Sequence, residues 1–211
     1  MTTIIDSSTN GIINGSGEQD LFIAMGGNDT YTGGAGDDRY VFGKLSGHDV
    51  ITDYAPGDMI FFNGPFASQA ALDAAVTIEN GSTVIRWTTG GVSNSLTLQG
   101  FTGSASLAWI DQSSVASGRG STQYGSARDD TMYGGRGADI LWGVSADSDS
   151  IYANGDDLFF GGAGDDQIYT NENGTSVAFG GAGSDRIRIE GHAFGEAGDD
   201  RLTGAGGPDF L

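Results

Sequence analysis

Aspartates recur at one position of a nine-residue repeat along most of this chain, and glycines precede each of them. The stretch GGAGDDRYV begins at Gly33, and close copies begin at Gly161, Gly180 and Gly195. Carboxylates and the carbonyl oxygens of glycine turns are the donors that a hard divalent cation such as calcium prefers. We predict that the sixth-position aspartates are metal ligands: Asp20, Asp29, Asp38, Asp49, Asp130, Asp139, Asp157, Asp166, Asp185, Asp200 and Asp209.

The charge balance of the chain also favours a cation as the binding partner. The chain has 28 acidic and 9 basic residues, a formal net charge of -19. Such a chain repels nucleic acid and anionic lipid, and it resists compaction until cations neutralise it. We therefore expect several bound calcium ions and no nucleic-acid partner.

Other chemistries lack their residues. There is no cysteine, so neither a disulfide framework nor a thiolate site can form, and the only histidines are His48 and His192. Acidic pairs such as Asp37/Asp38 resemble acid–base pairs, but they recur, whereas an active site needs one distinctive constellation. We predict that the chain is not an enzyme.

No segment of the sequence is typical of a membrane protein or of a usual signal peptide. The first residues, MTTIIDSSTNGII, have neither a basic region nor an apolar core. No run reaches the 18 or so apolar residues of a membrane span. We expect no membrane span and, if the chain is exported, a signal that is not at its front.

The repeats fall into two arrays, which predict three segments. The frame holds from Gly15 to Val41, slips by two residues, and resumes through Asp49 and more loosely through Asp58. A second array is in frame from Gly125, with one unit of ten residues and one shortened unit. We predict an array over residues 1–62, a capping or linking segment over 63–116, and a second array over 117–211.

Each repeat can supply one tight turn and one short strand. The glycines permit the positive φ angles of the turn, and the last three positions suit a small β-strand. Two repeats return the chain to its starting side, so about 18 residues make one coil of parallel strands. The eighth-position side chains then form an inner column: Tyr31, Leu141, Phe159, Ile168, Ile187 and Leu202.

Stacked coils place each aspartate above that of the second repeat along. The predicted pairs are Asp20 with Asp38, Asp29 with Asp49, Asp139 with Asp157, and Asp166 with Asp185. Two carboxylates about 5 Å apart repel by roughly 3 kcal/mol at an effective dielectric of about 20, and a cation between them reverses the sign. Ser148, opposite Asp130 and Asp166, and Thr175, opposite Asp157, should weaken their sites.

The pattern GGxGxDxUx resembles the RTX (repeats-in-toxin) nonapeptide, a calcium-binding β-helix repeat. The resemblance implies an all-β fold of two right-handed parallel β-roll arrays with calcium in the turns. It also implies export by a type I secretion system of a Gram-negative bacterium, to the medium or to the cell surface. Such proteins fold outside the cell, where calcium is plentiful.

The segment between the arrays has a different composition. ASQAALDAAV, from Ala67 to Val76, predicts a short helix, and VTIEN, STVIRWTT and SNSLTLQGF predict strands separated by NG and GG turns. The segment is similar to the one that follows RTX arrays in serralysin-type exoproteins. We expect it to cover the open end of the first array.

The leading hypothesis is a calcium-folded, non-catalytic RTX module that supports export and folding or forms a surface layer. The alternative is a module that binds an acidic exopolysaccharide, since Arg119, Arg128, Arg136, Arg186, Arg188 and Arg201 fall in the second array. This alternative is strengthened by a resemblance to the R modules of secreted alginate epimerases. The chain stops within a repeat, so we expect either a fragment or an export signal in its final PDFL.

Overall fold

The computed structural model of the 211-residue chain describes residues 2–6, 9–110, 122–124, 131–136, 138–142, 156–170 and 176–204. These residues form short strands joined by turns and wound as a parallel β-solenoid, consistent with a β-roll. The predicted all-β class is confirmed. The chain divides into two compact units, Met1–Trp109 and Ile110–Leu211.

The first unit contains two sheets, and successive strands of the roll alternate between them. One sheet has the order β1 (Thr2–Ile5), β3 (Asp20–Ala24), β5 (Arg39–Phe42), β7 (Met59–Asn63), β11 (Leu107–Ile110). The other has the order β2 (Ile12–Asn14), β4 (Thr30–Thr32), β6 (His48–Ile51), β10 (Val92–Leu98), β9 (Ser82–Thr89), β8 (Val76–Glu79). The roll therefore begins at β1, before the first recognisable repeat.

Parallel pairing sets the length of each coil. Thr2 pairs with Asp20 and Leu21 with Arg39, whereas Arg39 pairs with Met59 across the two-residue slip. The predicted 18-residue coil and its slip are both confirmed in this unit.

Aromatic residues fill the interior of the first unit. The rings of Phe22 and Tyr40 stack with centroids 4.8 Å apart, and Tyr31 meets Phe22 edge-on at 5.9 Å. All three side chains are buried. Large flat rings suit this site because successive coils are separated by only about 4.8 Å.

An antiparallel meander closes the second sheet of this unit. The helix α1 (Gln69–Ala74) begins at the N-cap Ser68, whose hydroxyl accepts the amide of Ala71, and lies within the predicted helix. Strands β8, β9 and β10 pair antiparallel, and β10 pairs parallel with β6, so Leu96 lies beside Asp49. The meander thus continues a sheet edge that the roll leaves open.

The meander also supplies apolar cover. The buried Trp87 meets Phe62 edge-on at 5.5 Å, and its indole nitrogen donates to the carbonyl oxygen of Lys44 at 3.1 Å. Among the described residues, no helix is long and apolar enough to cross a membrane.

The second unit repeats the two-sheet plan. One sheet has the order β12 (Thr122–Tyr124), β14 (Ile140–Trp142), β16 (Gln167–Tyr169), β18 (Arg186–Ile189), β20 (Arg201–Gly204). The other has the order β13 (Thr131–Arg136), β15 (Leu158–Ala163), β17 (Ser176–Ala182), β19 (Gly191–Ala197). The pairings between the described strands of this unit are parallel.

The predicted inner column is present in this unit. Leu141, Phe159, Ile168 and Ile187 are fully buried and cluster together, and Leu202 packs against them while partly exposed. Next to Phe159 in sequence, Phe160 belongs to a separate column of stacked rings with Tyr133, Phe179 and Phe194, at centroid distances of 4.9–5.6 Å.

Candidate metal centre

The sixth-position aspartates form ladders that run from coil to coil. In the first sheet, the backbone amide of Asp20 donates to Oδ1 of Asp38 at 2.8 Å, and the amide of Asp38 donates to Oδ1 of Asp58 at 2.9 Å. Each carboxylate therefore lies against the backbone of the preceding aspartate. The predicted pairing of Asp20 with Asp38 is confirmed, and Asp58 extends it.

A second ladder runs through the other sheet of the first unit. The amide of Asp29 donates to Oδ1 of Asp49 at 2.9 Å, which confirms that predicted pair. Tyr31, between them in sequence, donates its hydroxyl to Oδ2 of Asp6 at 3.0 Å. Asp6, Asp29 and Asp49 are all buried, so this row of carboxylates lies inside the protein surface.

The second unit contains the longest described ladder. The amide of Asp139 donates to Asp166, that of Asp166 to Asp185, and that of Asp185 to Asp200, at 2.7, 2.8 and 3.0 Å. The pairing of Asp166 with Asp185 was predicted, but Asp139 pairs with Asp166 and not with the predicted Asp157. The coil from Asp139 to Asp166 spans 27 residues, three repeats where the prediction allowed two.

Asp157 lies in the other sheet of this unit. Its amide donates to the hydroxyl oxygen of Ser176 at 3.1 Å, so its neighbour in the next coil is Ser176 and not the predicted Thr175. A serine supplies an oxygen but no negative charge. The predicted weakening of this site stays a prediction, and it now concerns Ser176. Likewise, Asp166 faces Asp139 and not the predicted Ser148.

The predicted ligands are buried wherever the structure describes their environment, with one exception. Asp200 is half-buried, at the end of its ladder, and eight others have at most 3% of their surface exposed: Asp20, Asp29, Asp38, Asp49, Asp139, Asp157, Asp166 and Asp185. Asp130 and Asp209 lie outside the described residues.

Glycine at the first position of the repeat lets oxygens approach the ladder. A Cβ on Gly161 would fall 2.6 Å from Oδ2 of Asp166 and closer still to the carbonyl oxygen of Gly180 in the next coil. The same two kinds of oxygen crowd Gly15, where Oδ2 of Asp20 would be 2.7 Å from a Cβ. A carboxylate and a main-chain carbonyl thus converge where any side chain would displace them.

Burial changes the acidity of these aspartates. It raises the pKa of Asp49 and Asp166 to about 7, and that of Asp38 and Asp185 to about 6. Neighbouring carboxylates of the same ladder raise these pKa values further, while the amide hydrogen bonds oppose the shift. The ionised ladder is therefore held at a cost in free energy, because negative charges are buried side by side.

Several carboxylate oxygens in the ladders have no hydrogen-bond donor within the described part of the chain. They are fully buried and comprise Oδ1 of Asp20 and Oδ2 of Asp49, Asp166 and Asp185. A buried, ionised oxygen without a partner is costly. A divalent cation satisfies such oxygens and supplies the missing positive charge.

The donor set fits calcium. In the described ranges, no three carboxylates or imidazoles converge on one point, so main-chain carbonyl oxygens have to complete any coordination shell. Calcium accepts such mixed shells of carboxylates and carbonyls with six to eight oxygens, whereas zinc favours nitrogen and sulfur ligands. The sixth-position aspartates and the first-position glycine carbonyls would hold it.

Three further acidic residues lie in or beside the ladders but were not predicted as ligands. Asp58 lies in a repeat whose glycines are degenerate, Asp53 accepts the amides of Gly33 and Gly34 at 3.0 and 2.9 Å, and Asp6 precedes the first recognisable repeat. Only the loose fit of DYAPGDMIF to the repeat pointed towards Asp58. Asp53 and Asp6 have no such signal.

The fold and its ladders define a calcium-binding parallel β-roll. The family model of the RTX calcium-binding nonapeptide repeat matches the chain in four copies, over residues 6–40, 124–153, 144–168 and 192–211. The resemblance drawn from the sequence is thus confirmed, and the chain contains RTX calcium-binding repeats. No curated protein matches the chain.

Proposed function

We propose that this chain is a calcium-folded module of a secreted or cell-surface protein of a Gram-negative bacterium. The observation that carries the proposal is the buried ladder of aspartates from Asp139 to Asp200, whose charges the fold itself leaves poorly compensated. At the low calcium concentration of a cytoplasm, the repulsion favours the expanded chain. At the higher concentration outside, bound calcium makes the roll stable.

The proposed role is structural, not catalytic. The same aspartate–glycine arrangement recurs from coil to coil, as expected of a scaffold that binds several ions. A module of this kind supports export through a type I secretion apparatus, folding of attached sequence, or assembly of a surface layer. Extracellular calcium modules bind their ions at about 10⁻⁴ to 10⁻³ M, which suits a switch between cytoplasm and medium.

Calcium titration followed by far-UV circular dichroism tests the proposal. We expect a cooperative gain of β-structure as calcium rises from zero to about 10 mM, and little gain with magnesium, which demands a tighter octahedral shell. A chain that is already β-structured in chelator, or that responds equally to magnesium, would contradict calcium-driven folding.

One surface of the second unit favours a second function, the binding of an acidic polysaccharide. Gln167, Arg186 and Arg201 lie side by side on strands β16, β18 and β20, and both arginines are exposed. Adjacent strands are about 4.8 Å apart, so two like charges are held close together on an otherwise acidic protein. Arg188, also exposed, lies next along β18.

Affinity electrophoresis in gels containing a polyuronate tests this second function. Arg186→Ala/Arg201→Ala should abolish retardation in calcium while leaving the calcium midpoint of folding unchanged. Arg86→Ala is the matched control, because Arg86 is an exposed arginine of the first unit that is paired with Glu79. Equal retardation of all variants, or none of the wild type, would contradict glycan binding by this surface.

A further inference from the structure

Tyr40 has a hydroxyl group that the fold buries but does not bond. Its ring stacks on Phe22 and only 1% of the residue is exposed. Within the described residues, the hydroxyl oxygen has neither solvent contact nor a hydrogen-bond partner. Tyr31, equally buried, differs because its hydroxyl donates to Asp6.

The unbonded hydroxyl of Tyr40 lies at the glycine turn that precedes Asp38. It lies where a Cβ on Gly33 would be, together with Oδ2 of Asp38. At four equivalent turns, the oxygen found beside the glycine and its aspartate is a main-chain carbonyl of the next coil. Gly33 provides it for Gly15, Gly161 for Gly134, Gly180 for Gly161, and Gly195 for Gly180.

The coil that follows has Asp53 and Tyr54 in place of the two glycines that begin this turn. The amides of Gly33 and Gly34 are bound instead by the carboxylate of Asp53. Asp58, the next aspartate of the ladder, accepts the amide of Asp38 with Oδ1 at 2.9 Å and that of Ala55 with Oδ2 at 2.8 Å. Both carboxylates thus accept backbone amides, and no main-chain carbonyl oxygen of the described chain lies as close to the Gly33 position as the Tyr40 hydroxyl does.

We propose that the Tyr40 hydroxyl replaces this carbonyl as an oxygen ligand of a divalent cation held by Asp38 at the Gly33 turn of the first array. The proposal rests on calcium binding by the ladders and adds a ligand of a type that the nonapeptide pattern does not contain. A neutral phenol oxygen has lone pairs that a hard cation accepts. Coordination gives the buried hydroxyl the partner that the protein alone does not provide.

Cadmium-113 NMR of the intact chain resolves individual sites, because Cd²⁺ substitutes for calcium and its resonance position reports the ligands. Asp38→Asn first identifies the resonance of the Asp38 site by its loss. Tyr40→Phe, which keeps the stacked ring, should then shift or remove that same resonance and weaken that one site by at least about tenfold in a Cd²⁺ titration. Tyr31→Phe is the matched control and should leave it in place.

The outcomes are distinct. An unchanged Asp38 resonance in Tyr40→Phe, or a change in another resonance only, would overturn the assignment of Tyr40 while leaving the ladders as calcium sites. A wild-type chain that shows no bound-cadmium resonance, and no gain of structure with calcium, would overturn both. Circular dichroism at saturating calcium verifies that each variant has folded before its spectrum is compared.

Discussion

The backbone amide of Asp166 donates to Oδ1 of Asp185, 19 residues further along, at 2.8 Å. This hydrogen bond anchors one carboxylate oxygen and leaves Oδ2 of Asp185 buried without a donor. One residue thereby holds the coils together and presents a charged oxygen to the glycine turn. The two roles can be separated by substitution.

Asp185→Asn should raise the calcium concentration at the folding midpoint by at least about tenfold. The amide oxygen of asparagine can still accept from Asp166, but the charge at Oδ2 is lost. Asp165→Asn is the matched control, because it makes the same charge change at an exposed aspartate. The Oδ1 atom of Asp165 accepts the amide of Ser184, the residue before Asp185. Calcium titrations followed by circular dichroism should show a much smaller shift for this control, and equal shifts would argue against a ligand role for Asp185.

Gly161→Ala should destabilise the calcium-bound roll by about 1–3 kcal/mol. The added methyl group would lie within 2.6 Å of Oδ2 of Asp166 and even closer to the Gly180 carbonyl oxygen, so the two oxygens have to separate. Gly17→Ala is a suitable control, because a Cβ at Gly17 meets nothing within 4 Å. Urea unfolding at saturating calcium measures the stability of both variants. Equal stabilities would contradict the close approach of the two oxygens to Gly161.

Acid should partly replace calcium. The pKa of Asp49 and Asp166 is raised by burial to about 7, from an ordinary value of 3.8. A carboxyl group with a higher pKa in the folded state takes up protons on folding. The stability that it contributes is complete below about pH 4 and is lost as the pH rises through 7.

We therefore expect the chain in chelator to gain β-structure as the pH falls from about 8 to about 5, when followed by circular dichroism. With calcium present, the calcium concentration at the folding midpoint should be lower at the lower pH, because protons already stabilise the folded chain. The calcium affinity of the folded chain should fall, because protons and calcium compete for the same oxygens. A chelated chain that loses structure on acidification would show that the buried carboxyls do not limit its stability.

Trp87→Ala should destabilise the first unit by about 3–5 kcal/mol, as is typical of a large buried aromatic residue. The substitution removes the edge-on contact with Phe62 and leaves the Lys44 carbonyl without its indole donor. Val92→Ala changes a half-exposed residue of the same meander and should cost less than about 0.5 kcal/mol. Scanning calorimetry in calcium compares the melting temperatures of the two variants. Similar melting temperatures would show that the packing of Trp87 does not stabilise the first unit.

The regular part of the fold could be predicted because one physical pattern repeats. From Gly15 to Val41 every repeat supplies a turn and a strand, so an 18-residue coil follows and places Asp20 beside Asp38 as observed. The two-residue slip was visible in the sequence, so the pairing of Asp29 with Asp49 could also be predicted, and it is confirmed.

The partner of Asp139 could not be obtained in the same way. A shift of the coil by one whole repeat brings aspartate to aspartate and apolar residue to apolar residue, so the pattern is satisfied equally by Asp157 and Asp166. Three-dimensional packing decides between them. Asp53 was missed for a different reason, since it lies where the glycines of the repeat are degenerate. Tyr40 occupies the eighth position of a regular repeat, where the pattern predicts only an apolar core residue.

The hydrogen bonds of the aspartate ladders give the roll a direction. In every described ladder, the amide of an aspartate is bonded by the carboxylate of a coil that comes later in the chain, from Asp20 through Asp58 and from Asp139 through Asp200. A coil is thus completed by its successor. Each ladder amide is therefore bonded only when the following coil is in place, whereas the strand amide of Arg186 is bonded by the carbonyl oxygen of Asp166 in the preceding coil.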